Sequence, residues 1–353
     1  GDATLLPGLV NAHTHLEFSD LPQPLGKPRQ AFPDWIRAVV DQRRNLPKED
    51  DPLPRRSSAV AQGLAASAAA GTAVIGEIAT PGWPAEPFRA SPLSGVVFLE
   101  LLGLGSERIE SLLQLATEHL AVGKISHTAG EWLPGLSPHA PYTVHPELLR
   151  RVCQLSAGTN VPVAMHLAES FEELELLASH CGRFVEVLED LQAWRPDAIP
   201  RGIRPADYLR FLATAGRALV IHGTYLVQDE IEFLAQQRET MSVVYCPRTH
   251  AYFQASEPPL RRLLAAGVRV AVGTDSLASN PDLSIWEELR LIRRTFPELD
   301  DATILRMGTL DAAAALGVEQ DYGSITPGKR AVFTVIGGHA AGSWWDGTAN
   351  RMS

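Results

Sequence analysis

Short runs of β-branched and apolar residues recur along this chain, separated by longer stretches in which Ala and Leu return at helical spacing. The runs fall at residues 9–12, 72–78, 95–99, a short segment before His139, 162–165, 218–221, 241–245 and 268–272. Between them, residues 57–70, 107–120, 147–157 and 205–213 read as helices. Apolar runs alternating with helices predict a parallel sheet with crossover helices. Eight such units predict an α/β fold closed as a (β/α)8 barrel. A doubly wound sheet is the competing arrangement, but neither a Gly-x-Gly-x-x-Gly nor a P-loop pattern occurs.

Two stretches interrupt the rhythm. Residues 19–56 are rich in proline and carry an amphipathic piece, Phe32–Arg44, with Trp35, Ile36, Val39 and Val40 on one side. This predicts a long loop bearing a helix over the barrel mouth. Residues 189–207, with Trp194, Pro196, Pro200 and Pro205, predict a second excursion. The barrel is expected over residues 5–320. Residues 321–353 are expected to supply a remnant of a small β domain, with a short strand at 331–336, and a loose Gly-rich tail from 337.

The chain has 353 residues, enough to bury a large core, with 45% hydrophobic and 20% charged positions. Its net charge of −10 and lack of a basic stripe argue against nucleic acid and towards a small ligand. Three scattered cysteines, Cys153, Cys181 and Cys246, predict free thiols in a reducing, cytoplasmic setting. No apolar run is long enough to span a bilayer, and the first residues lack the pattern of a signal peptide.

The chemically capable residues follow the apolar runs directly: His13, His15, His139, His166, His222 and Asp275. In a parallel barrel these are the C-terminal strand ends, where active sites sit. His13 and His15 are two apart, so an extended segment turns both imidazoles to one side, and both can reach one ion. Imidazole and carboxylate donors suit zinc and also iron. His166, His222 and Asp275 extend the set from separate strands. His222 can be either a ligand or a hydrogen-bonding partner of a bound water.

Glu169, three residues after His166, can turn back and move protons, or simply favour the first turn of the following helix. Glu172, Glu173 and Glu175 read as solvated helix face. His139, stiffened by Pro138 and Pro141, reads as a substrate contact or a further ligand. Glu17 can receive a hydroxyl or a ring N–H, and Phe18 can stack on a base or pack the barrel top. Glu100 ends its run with equal ambiguity. Arg248 either meets a polar substrate group or pairs with a helix acid. The remaining histidines, including His127, His250 and His339, lack comparable context, although His250 closely follows a strand. Cys246 precedes proline with no activating partner, and no Gly-x-Ser-x-Gly elbow occurs, so covalent hydrolysis is disfavoured.

Pro7-Gly8-Leu9-Val10-Asn11-Ala12-His13-Thr14-His15, His166-Leu167-Ala168-Glu169, His222-Gly223 and Gly273-Thr274-Asp275-Ser276 together resemble the amidohydrolase superfamily, in its mononuclear-metal deaminase and chlorohydrolase branch. The resemblance implies one divalent metal ion per chain, zinc first and iron as the alternative, held by His13, His15, His166 and Asp275. It implies that Glu169 shuttles protons, that His222 orients the attacking water, and that Asp275 doubles as a proton acceptor. His139 and its flanking prolines resemble the substrate-contacting segment of adenosylhomocysteine and methylthioadenosine deaminases. His15-Leu16-Glu17-Phe18-Ser19, with Phe32-Pro33-Asp34-Trp35, is similar to the aminodeoxyfutalosine deaminases of menaquinone synthesis, which release ammonia from an adenine ring.

Broader adenine-nucleoside deamination, guanine deamination and chlorohydrolysis are the alternatives, and a non-catalytic metal-binding barrel is the reading from another class. A cationic group in the pocket would favour a futalosine-type substrate; an uncharged apolar slot would favour methylthioadenosine. A homodimer is the family-based expectation for assembly. Two departures from the family pattern stand out. A strand-rich leading segment that completes the small β-sandwich does not precede residue 1, which implies a segment outside this sequence or a rudimentary domain. Val332 stands where Asp is common, remote from the metal.

Overall fold

The computed structural model describes residues 3–46, 52–123, 125–126, 131–253, 257–338 and 343–353. His127 and His339 lie outside them. The strands are β1 (Thr4–Pro7), β2 (Leu9–Thr14), β3 (Thr72–Ala79), β4 (Ser94–Leu101), β5 (Ile125–Ser126), β6 (Glu131–Pro138), β7 (Pro162–Leu167), β8 (Arg217–His222), β9 (Met241–Tyr245), β10 (Val270–Val272), β11 (Phe333–Gly337) and β12 (Thr348–Met352). Eight of them form one parallel sheet in the order β10-β9-β8-β7-β6-β4-β3-β2, with β5 pairing antiparallel to β6. The eight expected apolar runs are these eight strands.

The sheet curls until its ends meet. Main-chain N–H groups of Thr274 and Asp275 both donate to the His13 carbonyl at 3.1 Å. Asn11, fully buried, donates to the Thr274 hydroxyl at 2.8 Å and accepts from the Thr274 N–H at 3.1 Å. Gly273 makes this approach possible: a Cβ there would stand 2.8–3.0 Å from the backbone and Cβ of His13.

Strands buried on both faces explain the continuous apolar runs. Alternate residues form two sets. Val74, Val96, Phe98, Ala164, Leu219, Val244 and Ala271 pack together with Leu316 and Tyr322. Val163, Met165, Ala218, Val220, Val243 and Val270 pack in a separate cluster with the helices. The first set draws on strands all round the sheet and is the barrel interior. The helix Leu310–Leu316 belongs to that interior cluster, and the Gly308 carbonyl just before it accepts from Val10 N–H at 2.8 Å. It therefore closes the end at which the strands begin and leaves their C-terminal ends open.

The small sheet is antiparallel, in the order β1-β11-β12. Residues 348–352 are thus a paired strand, which corrects the expectation of a loose tail for the described residues 343–353. The reason lies in two tryptophans: the Trp345 ring, fully buried, stacks on Trp286 at 4.7 Å, and Trp344 stacks on Trp345 at 4.7 Å. The first strand of this sheet, Thr4–Pro7, comes from the N-terminal end of the span expected to be barrel. The predicted amphipathic helix is Phe32–Arg44. Its Phe32 and Trp35 pack against Phe184 and Phe253, and Trp35 Nε1 donates to the Ala278 carbonyl at 3.2 Å. Among the described residues no helix is long and apolar enough to cross a membrane.

Gly273→Ala is expected to force the seam apart, because the atoms in the way are main chain. The expected loss is roughly 1–3 kcal/mol of stability, the usual range for overpacking, measured by denaturant unfolding. An unchanged midpoint would show that the seam is not tightly closed.

Candidate metal centre and active site

Every candidate ligand lies at or just past the C-terminal end of a strand. His13 is the last residue but one of β2, His166 lies near the end of β7, His222 ends β8, and Asp275 follows β10 by three residues. Their side chains converge. The His13 and His15 rings lie 4.9 Å apart, His13 and His166 4.9 Å, and His13 and His222 5.8 Å. Nε2 of His15 lies 3.4 Å from Nε2 of His166. Asp275 Oδ1 lies 3.8 Å from Nε2 of both His13 and His15.

Two overlapping groups have all their donor atoms within 4.8 Å of one another: His13, His166 and His222, and His13, His15 and Asp275. A mononuclear His/His/His or His/His/Asp metal site is therefore present. The fit is supported by His13, whose two ring nitrogens are buried with no hydrogen-bond partner. Buried polar atoms without partners are costly unless something else meets them. The His166 Nδ1 lies 3.1 Å from the His139 carbonyl, which fixes Nδ1 as the donor and leaves Nε2 for an ion.

Alternation along β8 alone would not bring His222 here. Val220, two residues earlier, packs outward with the helices, and His222 should follow it. Instead His222 adopts φ +68°, which swings its ring inward. Ala168 and Asp275 also take left-handed angles, φ +54° and +57°. Such conformations cost about 1–3 kcal/mol each and gather at functional sites.

Glu169 is brought to the same floor, its Oε1 3.3 Å from His222 Nε2. The turn holding it is fixed by Glu173, which corrects the expectation that Glu173 is solvated. Glu173 is fully buried, and its Oε1 and Oε2 accept the N–H groups of Ala168 and Glu169 at 2.8 and 2.9 Å. Its own N–H donates to Ser170 Oγ at 3.1 Å. The legible signal was Ser170-Phe171-Glu172-Glu173, a capping-box pattern. A second buried acid was missed: Glu77, in the apolar run of β3, accepts the Leu16 N–H on both oxygens at 3.0 Å and so fixes the chain just after His15. Its signal was a lone carboxylate in a continuous apolar strand. Asn11 was quoted in a motif without a role, and the seam supplies one.

Burial sets the protonation of the cluster. Desolvation, reinforced by the other histidines, holds His13, His15 and His222 well below the ordinary imidazole range, and burial brings His166 down to about 3. Neutral imidazoles are what a metal ligand must be. Burial raises Asp275 to about 7, and burial together with Asp275 and Glu173 raises Glu169 well above the carboxylate range. A cation among these groups reverses the pressure on Asp275, whereas Glu169 is suited to carry a proton.

Above the cluster lies a cavity of about 280 Å³. Its floor includes His15, His166, Glu169, His222 and Asp275, and the helix Phe32–Arg44 walls it with Trp35, Ile36, Val39, Val40, Arg43 and Arg44. Phe18 lines it. His139 lines it too, with Nδ1 2.7 Å from Thr143 Oγ1 and Nε2 3.9 Å from Glu100 Oε1. Glu100, pushed up to about 7 by burial, completes that wall. Glu17 does not line this cavity; it pairs with Arg43 in an adjoining one of about 230 Å³. Arg248 is also not part of the wall. Its guanidinium grips Asp282 at 2.6 and 3.0 Å and lies 4.0 Å from Glu288 on the helix Ile285–Thr295, so the acid pair is what forms. Cys246 is buried with its thiol pushed well above its ordinary range, an inert form.

The amidohydrolase family model matches residues 4–350. The chain is 30% identical over 340 residues to the aminodeoxyfutalosine deaminase of Deinococcus radiodurans, covering 92% of this chain and 75% of that protein. It is 28% identical over 357 residues to the 5-methylthioadenosine/S-adenosylhomocysteine deaminase of Moorella thermoacetica, covering 95% and 74%. Among solved structures, aminofutalosine deaminase from Helicobacter pylori superposes with a TM-score of 0.80 at 26% identity, over 97% of this chain and 80% of that one. An adenosine deaminase from Xanthomonas campestris with bound zinc gives 0.72 at 26% identity, over 95% and 72%.

Elemental analysis is expected to find one divalent ion per chain, and His166→Ala to lose it. Removing the ion by chelation should lower the melting temperature; a ligand at a hundred times its Kd contributes about 2.7 kcal/mol. A melting curve indifferent to chelator would count against the site. Glu173→Gln keeps one acceptor and turns an amide against the other N–H. Activity should fall roughly 10–100-fold, the usual cost of disturbing an orienting partner, with metal content unchanged. Loss of metal in step with activity would show that Glu173 serves the ion rather than Glu169.

Proposed function

The chain belongs to the amidohydrolase family, in its metal-dependent deaminase and chlorohydrolase branch, and from that membership we propose that it removes the amino group from the adenine ring of a nucleoside, with 6-amino-6-deoxyfutalosine as the preferred substrate. It is a metal-dependent hydrolase acting on carbon–nitrogen bonds of a cyclic amidine. The observation that carries the deaminase reading is Glu169 and His222, 3.3 Å apart, on the floor of a largely apolar cavity beside the ligand cluster.

In this reading His13, His15, His166 and Asp275 hold one divalent cation, zinc by preference, with His222 within reach of the same centre. When bound, such a cation lowers the pKa of water and supplies a nucleophile at neutral pH. Glu169, protonated by burial, gives its proton to the ring nitrogen beside the amino-bearing carbon. It then takes one proton of the attacking water and passes it to the departing amine, and recovers the other from the new hydroxyl as the carbonyl forms. His222 keeps the water in line by hydrogen bonding. A carbon–oxygen bond forms, the carbon–nitrogen bond breaks, and ammonia leaves. Phe18, Trp35 and the apolar face of the lid helix enclose the base and exclude bulk water, which strengthens each of these polar contacts.

Two observations favour the futalosine-type substrate over methylthioadenosine. The cavity wall carries two guanidinium groups, Arg43 and Arg44, rather than an uncharged slot. The Deinococcus and Helicobacter relatives are named for that substrate class. The reading places the enzyme in menaquinone synthesis.

Ammonia release by metal-loaded protein should be fastest with 6-amino-6-deoxyfutalosine in a panel with adenosylhomocysteine, methylthioadenosine and adenosine. Glu169→Gln should lower it by about 10²–10⁴-fold, the range for a positioned acid–base group. Equal turnover across the panel would assign the broader deaminase activity. No ammonia from any of the four would overturn the adenine reading.

A further inference from the structure

The mechanism leaves unused two cavities beside the ligand cluster. An inner one of about 20 Å³ is bounded by Glu169 and His222, by Thr224 and Thr249, and by Tyr245 and His250. An outer cleft of about 280 Å³ lies between the helices Pro247–Phe253 and Ile285–Thr295, and Tyr245 and His250 line it as well. Glu169 and His222 in turn belong to the central cavity. The three cavities therefore stand in series, each separated from the next by two shared side chains, from the reaction floor to a second face of the barrel.

We propose that this series is a side conduit for single water-sized molecules, through which ammonia leaves and a replacement water enters, with Tyr245 and His250 as its gate. The proposal rests on the deaminase reading given above. Size sets the selectivity. A cavity needs about 10–15 Å³ to hold one water, and polar partners to keep it. The inner cavity meets both conditions and is far too small for a purine. Position supports the same assignment, because Glu169, which hands the last proton to the departing amine, forms the wall between reaction floor and conduit. The gate needs no main-chain movement. The Tyr245 and His250 rings meet edge to face at 5.9 Å between centroids, and His250 is only half-buried. Rotation of one side chain opens such a contact on a fast timescale. The nucleoside product, held under the helix Phe32–Arg44, needs a larger opening. His250 thus acts as a gating residue.

A crystal structure of the metal-loaded wild type should show ordered solvent in the inner cavity; an empty cavity would overturn the proposal. His250→Trp fills the gate. Its kcat for ammonia release should fall by roughly threefold or more while kcat/KM for the nucleoside stays within about twofold, because release follows the chemical step. A substrate carrying an N6-methyl group tests the route without relying on that variant's fold. Methylamine should leave wild type more slowly than ammonia does, and His250→Ala should shrink the difference. A difference unchanged by His250→Ala would sink the exit role. Absence of ammonia from wild type with every substrate would instead be failure of the deaminase reading, and the solvent in the inner cavity would still decide the conduit.

Discussion

The site depends on how closely the first and last strands of the barrel approach. His13 and His15 enter from the beginning of the chain and Asp275 from more than 250 residues later, yet their donor atoms must share one centre. The seam achieves this with main-chain bonds from Thr274 and Asp275 to the His13 carbonyl, with the Asn11 side chain bridging to Thr274, and with a glycine where any side chain would intrude. The ligand geometry is therefore a property of barrel closure rather than of any local loop.

That closure also creates the electrostatic problem that defines the site. Four imidazoles and two carboxylates are packed away from water, and none can carry its usual charge there without a partner. The histidines respond by staying neutral, and the two acids by titrating above the ordinary carboxylate range. Glu173 and Glu77 are pushed up by burial as well, but they face main chain. Their oxygens are used up on backbone N–H groups, so they fix the turns that carry Glu169 and His15. The buried acids thus divide: Glu173 and Glu77 spend both oxygens on main-chain N–H groups and hold the frame, whereas Glu169 and Asp275 face imidazoles.

This division explains what could be read from the sequence. The eight strands were legible because burial on both faces writes itself as an apolar run. The clustering of the candidate ligands was legible because barrel geometry puts strand-end residues together whatever their spacing in the chain. Glu173 was misread because a run of glutamates at a helix start looks the same whether its third member faces solvent or turns back to the chain. The inward swing of His222 was invisible, since it depends on a left-handed backbone angle at a residue that is not glycine. The paired strand near the C-terminus was missed because its stability comes from Trp345 stacking on a tryptophan 59 positions away, which no local pattern records.

The cavity walls, unlike its floor, are built by interactions that a modest change could reverse. Arg43 is already engaged by Glu17 and lies over the Phe18 ring at 5.1 Å, while Glu100 and Asp275 bring acidic groups to the same space. A ligand carboxylate entering there competes with Glu17 for Arg43 and meets Glu100 across the cavity, so its net gain is a small difference between large contributions. Glu100 is held near the point of half-protonation, at about 7. Protonating it removes a repulsion and adds a hydrogen-bond donor, which changes the charge that the wall presents. The strand ends thus gather the residues suited to deamination, whereas the charges around the cavity sit on the helix Phe32–Arg44 and at the end of β4.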